Sequence, residues 1–226
     1  MPPSAGQRRR ARSARGALPR LGPGAGWSYS NTGYVLVGMI IGRVTGRLWH
    51  REVDDRIVHP LGMRHTFFPG ASPHLPAPHA DGWTRFAPGG PLVTTTEPID
   101  ADASGGHVST TADLDRFLHG LFDGTLLDAA SLAAMRRTVA VPPDVEAVWP
   151  GARYGLGIFS RPLPCGDLAW IPSGDQLGYR TRTAITADAR RSAVVSMPTQ
   201  FLDSLEGALA QEKPTTVLID HALCAR

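Results

Sequence analysis

Early in the chain the sequence reads Pro23-Gly-Ala-Gly-Trp27-Ser28-Tyr29-Ser30-Asn31-Thr32-Gly33-Tyr34. Tyr29 and Asn31 stand at the mouth of an apolar run and are the side chains best suited to chemistry. A phenol held beside a serine can pass on its proton when nearby positive charge lowers its pKa. A carboxamide donates and accepts hydrogen bonds at once, which suits a substrate amide. The same types also suit a purely architectural role, Asn as a helix cap and Tyr as a buried aromatic. His74, His79 and Asp81 lie close together in a loop, but their spacing fits no metal motif. No metal site and no cofactor is expected. Ser104 and Ser160 lack a Gly-x-Ser-x-Gly setting, and no phosphate-cradling glycine loop precedes a helix.

The elements that must position these residues follow from periodicity. Residues 33–46 carry Tyr34, Val35, Leu36, Val37, Met39, Ile40, Ile41 and Val44 around most of a helix circumference. That pattern predicts a helix buried on nearly all sides and ended by Gly46. A second helix is expected over 49–58, stopping before Pro60. Residues 69–106 are rich in Pro, Gly, Ala and Thr and read as a long irregular segment, with one short strand near 92–95. Thr110-x-x-Asp113 has the form of a capping box opening a helix with Leu114, Phe117, Leu118 and Leu121 on one face. Asp128 caps another helix, with Leu132 and Met135 facing inward. The period then changes. Residues 154–159, 168–171, 180–186 and 192–197 read as strands, the last two joined by a hairpin turn at 187–191. A final helix is expected over 215–224. Helices, a meander and a closing helix give an α+β reading with an antiparallel sheet.

The Tyr29-x-Asn31 segment resembles the Tyr-x-Asn motif of the penicillin-recognising serine hydrolases, the D-Ala-D-Ala carboxypeptidase and class C β-lactamase group. His59-Pro-Leu-Gly-Met-Arg-His-Thr-Phe67, Gly105-Gly-His-Val-Ser-Thr-Thr-Ala-Asp-Leu-Asp-Arg-Phe117 and Tyr154-Gly-Leu-Gly resemble further segments of that family, in the family's order. The resemblance runs from about Pro23 to about Met197. It implies a β-lactamase/transpeptidase-like fold and assigns Tyr29 a catalytic role and Asn31 a substrate-binding one. In the place of the family's third motif, Lys-Thr-Gly or His-x-Gly, stands Pro172-Ser173-Gly174. Ser173 and Gly174 match its second and third positions and are expected to bind substrate. The amide of Asp175 would be an oxyanion-hole donor. Pro172 replaces the cation, and the Asp175 carboxylate would disfavour an oxyanion beside it.

The resemblance also implies a Ser-x-x-Lys nucleophile motif, serine and lysine one helical turn apart. The sequence contains none: its sole lysine, Lys213, is preceded three residues earlier by Ala210. The fold is therefore expected to be incomplete at its N-terminus, the sheet's first strands lacking along with the nucleophile. The remaining domain would span 23–226 and be only marginally stable.

The net charge of +3 over 226 residues is concentrated at the start. Arg8, Arg9, Arg10, Arg12, Arg15 and Arg20 make residues 1–22 a basic, flexible leader with neither the apolar stretch of an export signal nor a demonstrated use as a nucleic-acid arm. No nucleic acid is expected as partner. No apolar run reaches membrane-spanning length. The compartment stays open, intact relatives being extracytoplasmic. Cys165 and Cys224 read as two ordinary thiols. Three functions compete: a family member inactive by itself, a non-catalytic binder of cell-wall peptide or a protein partner, and a hydrolase with relocated chemistry at Ser30 or Ser173. Small-molecule or peptide substrates belong to intact relatives; oligomeric state is not legible.

Overall fold

The computed structural model describes residues 26–97 and 102–225, so the basic leader expected over 1–22 lies outside the described residues. Helix α1 (Asn31–Thr45) starts where Ser30, in an extended conformation, accepts a hydrogen bond from Gly33 N at 3.1 Å. It stops at Gly46, whose φ of 71° places it in the left-handed region. Near-complete burial of this helix is not found. Val35 and Gly38 are buried, Gly38 because a Cβ there would press on the Trp49 ring and Ala103. Leu36, Val37, Ile40 and Val44 are exposed, Val44 by 79%. An apolar pattern on every side demands partners on every side, and the described residues supply one.

Helix α2 (Trp49–Val53) continues as a π-helical turn, Asp54–Val58. Trp49 packs edge-on against Phe68 and His107. In the long segment, β1 (Trp83–Arg85) pairs antiparallel with β2 (Val93–Thr94). Helix α3 (Thr111–Phe122) is capped by Thr110, which accepts from Asp113 N at 3.2 Å. The capping box is one-sided. The fully buried Asp113 carboxylate accepts instead from His65 N at 2.7 Å and from Thr66 Oγ1 at 3.0 Å, tying the chain after α2 to α3. Helix α4 (Ala129–Met135) is capped by Asp128 as expected, and α5 (Pro143–Val148) opens on a proline.

The main sheet is antiparallel: β3 (Val139–Ala140), β4 (Arg153–Tyr154), β5 (Phe159–Pro162), β6 (Leu168–Ile171), β7 (Gly174–Gln176), β8 (Tyr179–Thr186) and β9 (Ser192–Met197). Residues 154–159 form the link between two strands rather than one strand. Gly157, at a φ of 80°, takes a conformation that β-branched residues avoid. β6 and β7 pair with opposite ends of β8, and β9 runs along its other edge from Ser192 to Met197. The chain then enters β10 (Thr199–Phe201), parallel to β1.

Helix α6 (Leu205–Cys224) starts ten residues before the expected 215 and passes straight through Pro214. The proline costs a backbone bond. Anchors on both sides of it hold the helix to the sheet: Gly207, Glu212, Thr215 and Ile219 are all buried. The sheet is sandwiched. Leu118 and Phe122 of α3 meet Ile158, Trp170 and Ile185 on one face. Ile219 and Leu223 of α6 meet Leu163, Ala169, Ile171 and Ala184 on the other. The two cysteines are not free thiols: Cys165 and Cys224 form a disulfide across a Cα–Cα distance of 5.7 Å. Leu163 and Leu223 share the α6-side core, which brings the β5–β6 turn against the last turn of α6. A separation of 59 residues gave the sequence no hint of that contact.

Candidate active-site cleft

A cavity of about 460 Å³ opens between the π-helical turn, α3 and the sheet. Val58, Leu114 and Leu118 make it largely apolar, while Thr181, Thr183 and Ser173 bring hydroxyls to it from the sheet side. Ser173 and Gly174 line it, on the link from β6 into β7 that Thr183 Oγ1 secures by donating to Pro172 O. Two polar atoms at this cavity, Ser173 Oγ and His107 Nε2, are buried without a hydrogen-bond partner. Each such group forgoes about 1–3 kcal/mol, which marks the cavity as a place for an occupant that supplies polar atoms. Burial holds the His107 pKa below its ordinary value, so its imidazole is neutral at physiological pH.

Tyr29, Asn31 and Asp175 do not line that cavity. Tyr29 is 53% exposed, its ring 5.8 Å from that of Tyr34, and Asn31 is exposed in the first turn of α1. Trp27 fixes the approach to α1 by packing 4.2 Å from Tyr154 and edge-on to Phe159. Tyr34 and Tyr154 share a hydroxyl hydrogen bond of 2.9 Å. The expected electrostatics of Tyr29 are reversed. Partial burial, then Tyr34, then Asp175 push the phenol pKa up, and among the described residues no cation offsets them. Ser30, a candidate for relocated chemistry, spends its Oγ on the α1 cap.

Asp175 departs from expectation in a second way. It lies opposite Arg180 in the β7–β8 pairing, while Gly174 lies opposite Thr181. Side chains alternate along a strand. Thr181 and Thr183 therefore face the cavity, and Arg180 and Arg182 face α6 together with Asp175. Arg182 donates to the Asp175 carboxylate at 2.9 and 3.2 Å, and Arg180 Nε does so at 3.2 Å. Behind them Glu212 accepts from Arg180 Nη2 at 2.8 Å, Arg182 Nε at 2.9 Å and Trp149 Nε1 at 2.8 Å. Burial alone would lower the Arg182 pKa, but Asp175 and Glu212 outweigh it and raise it. The carboxylate expected beside the oxyanion position is thus paired on the far face of the sheet. The Asp175 amide is a separate matter. The Thr186 N–H bonds Arg191 O at the β8–β9 turn, and alternation from there directs the backbone groups of Arg180 toward β9. Its partner Asp175 is then in a non-bonded pair, and its N–H points away from β8 along the open side of β7.

Sequence reading missed His107, Thr181, Thr183, Arg180 and Arg182. The signal was present for the last four: Tyr179-Arg-Thr-Arg-Thr183 is a period-two pattern that sorts threonines and arginines onto opposite faces. His107 was visible within Gly105-Gly106-His107 but read only as part of a segment resembling the family. His79 and Asp81 approach to 3.7 Å.

Comparison with known proteins bears on the family and the fold. The Beta-lactamase family profile matches residues 3–211. Penicillin-binding protein 4* of Bacillus subtilis is 31% identical over 212 residues, 89% of this chain and 45% of that protein. A D-stereospecific amidohydrolase from Streptomyces sp. superposes with a TM-score of 0.78 at 31% identity, over 93% of this chain and 58% of its own. The D-amino acid amidase from Ochrobactrum anthropi SV3, in complex with D-phenylalanine, superposes with a TM-score of 0.71 at 25% identity, over 90% of this chain and 62% of its own. The chain thus spans about half the length of its curated relative and about three-fifths of these structures. Motifs, sandwich and relatives converge on one assignment: the chain belongs to the β-lactamase family.

Proposed function

We propose that this β-lactamase-related hydrolase homologue carries the substrate-recognition part of an acyl-transfer site and does not turn substrate over by itself. Ser173 and Gly174 would receive substrate in the cavity, while the Asp175 amide, Tyr29 and Asn31, which lie outside its lining, keep the oxyanion and motif roles that the family resemblance implies. The substrate class is that of the family: D-Ala-terminated peptides, β-lactams or simple esters and amides. One observation carries the reading. Among the described residues no lysine amine reaches a hydroxyl in the cleft, because Lys213, the sole lysine of this sequence, is exposed on α6, across the sheet from the cavity. The raised pKa of Tyr29 supports it, since a phenol that keeps its proton is a poor base. Ser173 has no base bonded to it.

Purified protein is expected to leave a chromogenic cephalosporin and D-phenylalanine amide intact and to take up no fluorescent penicillin. A stoichiometric acyl adduct in the intact mass would refute the proposal. A second reading, binding without turnover, is favoured by the unpartnered Ser173 Oγ and His107 Nε2. It predicts heat on titration with a D-Ala-D-Ala stem peptide, reduced several-fold in Ser173→Ala. A flat titration rejects it.

A further inference from the structure

The strand that carries Gly174 and Asp175 has little backbone to hold it. β7 is three residues long and, among the described residues, pairs with β8 alone. Its middle residue, Asp175, stands in a non-bonded pair, so main-chain bonds to β8 come only from the pairs Gly174–Thr181 and Gln176–Tyr179. Pro172, just upstream, has no N–H to add. Side chains supply the rest, through charge-assisted bonds that are stronger than neutral ones. The Asp175 carboxylate accepts from Arg180 once and from Arg182 twice, and Arg182 Nη1 also reaches Gly174 O at 3.4 Å. The two guanidiniums are in turn fixed from α6. Glu212 accepts from both, and Arg180 Nη1 donates to Ala208 O at 3.1 Å, one turn earlier on the helix. A second ion pair, Arg161 with Asp220, also ties α6 to the sheet, but at β5, and it touches no residue of β7.

We propose that Glu212 is a positioning residue for the candidate site. Acting through Arg180, Arg182 and the Asp175 carboxylate, it fixes the β7 backbone and with it the groups of Gly174 and Asp175 that are offered to substrate. The functional consequence rests on the recognition role proposed above for β7. The structural one rests on the ion pairs alone. Glu212 never meets the ligand: it sits 4% exposed under α6, on the face of the sheet opposite the cavity. Its effect is carried by three side chains that have no other anchor of comparable strength.

Residue-resolved hydrogen exchange of the full chain tests this in Glu212→Gln, Asp175→Ala and the double variant, with Asp220→Asn as the control for a lost α6–sheet ion pair. In Glu212→Gln the Gly174 and Gln176 amides are expected to exchange about tenfold faster or more, beyond any change at the core amide of Ala184, since a charged hydrogen-bond partner is lost. Asp175→Ala cuts the same chain of contacts at a carboxylate 44% exposed and is expected to act alike. The double variant is expected to go no further than the larger single effect. In Asp220→Asn the β7 amides are expected to change only in step with Ala184. Calorimetric titration with a D-Ala-D-Ala stem peptide reads the consequence: affinity falls several-fold in Glu212→Gln and is unchanged in Asp220→Asn. A flat titration with the unaltered protein rejects the recognition role of β7, and the exchange rates then decide the positioning by themselves. Three results overturn the proposal: β7 amides that accelerate only in step with Ala184 in Glu212→Gln, additive effects of the two substitutions, or peptide affinity that falls equally in Asp220→Asn and Glu212→Gln. If Glu212→Gln does not fold, Asp175→Ala against Asp220→Asn gives the same contrast.

Discussion

Replacing Glu212 by alanine tests the ionic layer between α6 and the sheet. Glu212, Arg180 and Arg182 are 4%, 7% and 4% exposed, and the carboxylate takes hydrogen bonds from both guanidiniums and from Trp149. Glu212→Ala leaves two buried cations sharing the Asp175 carboxylate, whose side chain is 44% exposed. Removing one partner of a buried pair costs about 3–5 kcal/mol. Whole-domain stability is about 5–15 kcal/mol, so the variant loses roughly a fifth or more of it. For a chain of this size that corresponds to a melting temperature lower by about 10 °C. Urea unfolding followed by circular dichroism measures the loss directly. Replacing Arg180, Arg182 and Glu212 together by apolar residues of similar volume is expected to restore most of it, because the penalty lies in stranded charge. A loss below about 1 kcal/mol in Glu212→Ala would show that the layer is solvated and would refute the reasoning.

Reduction with dithiothreitol, or Cys165→Ser, is expected to lower stability by about 4 kcal/mol, the chain-entropy value for a loop of this size, and a melting curve unmoved by reductant would deny the bond. Ile40→Ser, at a position 60% exposed, is expected to change stability by less than about 0.5 kcal/mol, whereas Val35→Ala, at a fully buried one, costs about 2 kcal/mol. Equal effects in urea titrations would contradict the one-sided packing of α1. Burial lowers the His107 pKa, so the unfolded imidazole binds a proton first as pH falls. Stability is therefore full above about pH 6.5 and declines as pH drops through that value. In His107→Gln the decline is expected to be shallower. An unchanged slope would show that His107 is solvated.

The parts of the fold legible in sequence were those governed by local period. The strands at 168–171 and 192–197 fall where alternation put them, and Thr110 and Asp128 cap their helices as their types suggest. The failures share one cause, dependence on distant partners. The last helix was expected only from 215 because the partners of Glu212, namely Trp149, Arg180 and Arg182, lie far away in sequence. Asp113 was assigned to its own helix start because His65 and Thr66 are remote. In the site, residue types pointed to Tyr29, Asn31, Ser173 and Gly174. The direction in which the Asp175 carboxylate points was fixed by pairing register, which no local pattern states.

Strand β8 has hydroxyls on one side and guanidiniums on the other, and this makes its alignment self-checking. A slip by a single residue would drive two permanent positive charges into a hydrocarbon-walled chamber and set two threonines against a carboxylate deprived of counterions. The shape of the chamber and the attachment of the C-terminal helix are therefore decided in the same event, and neither can form correctly while the other is wrong.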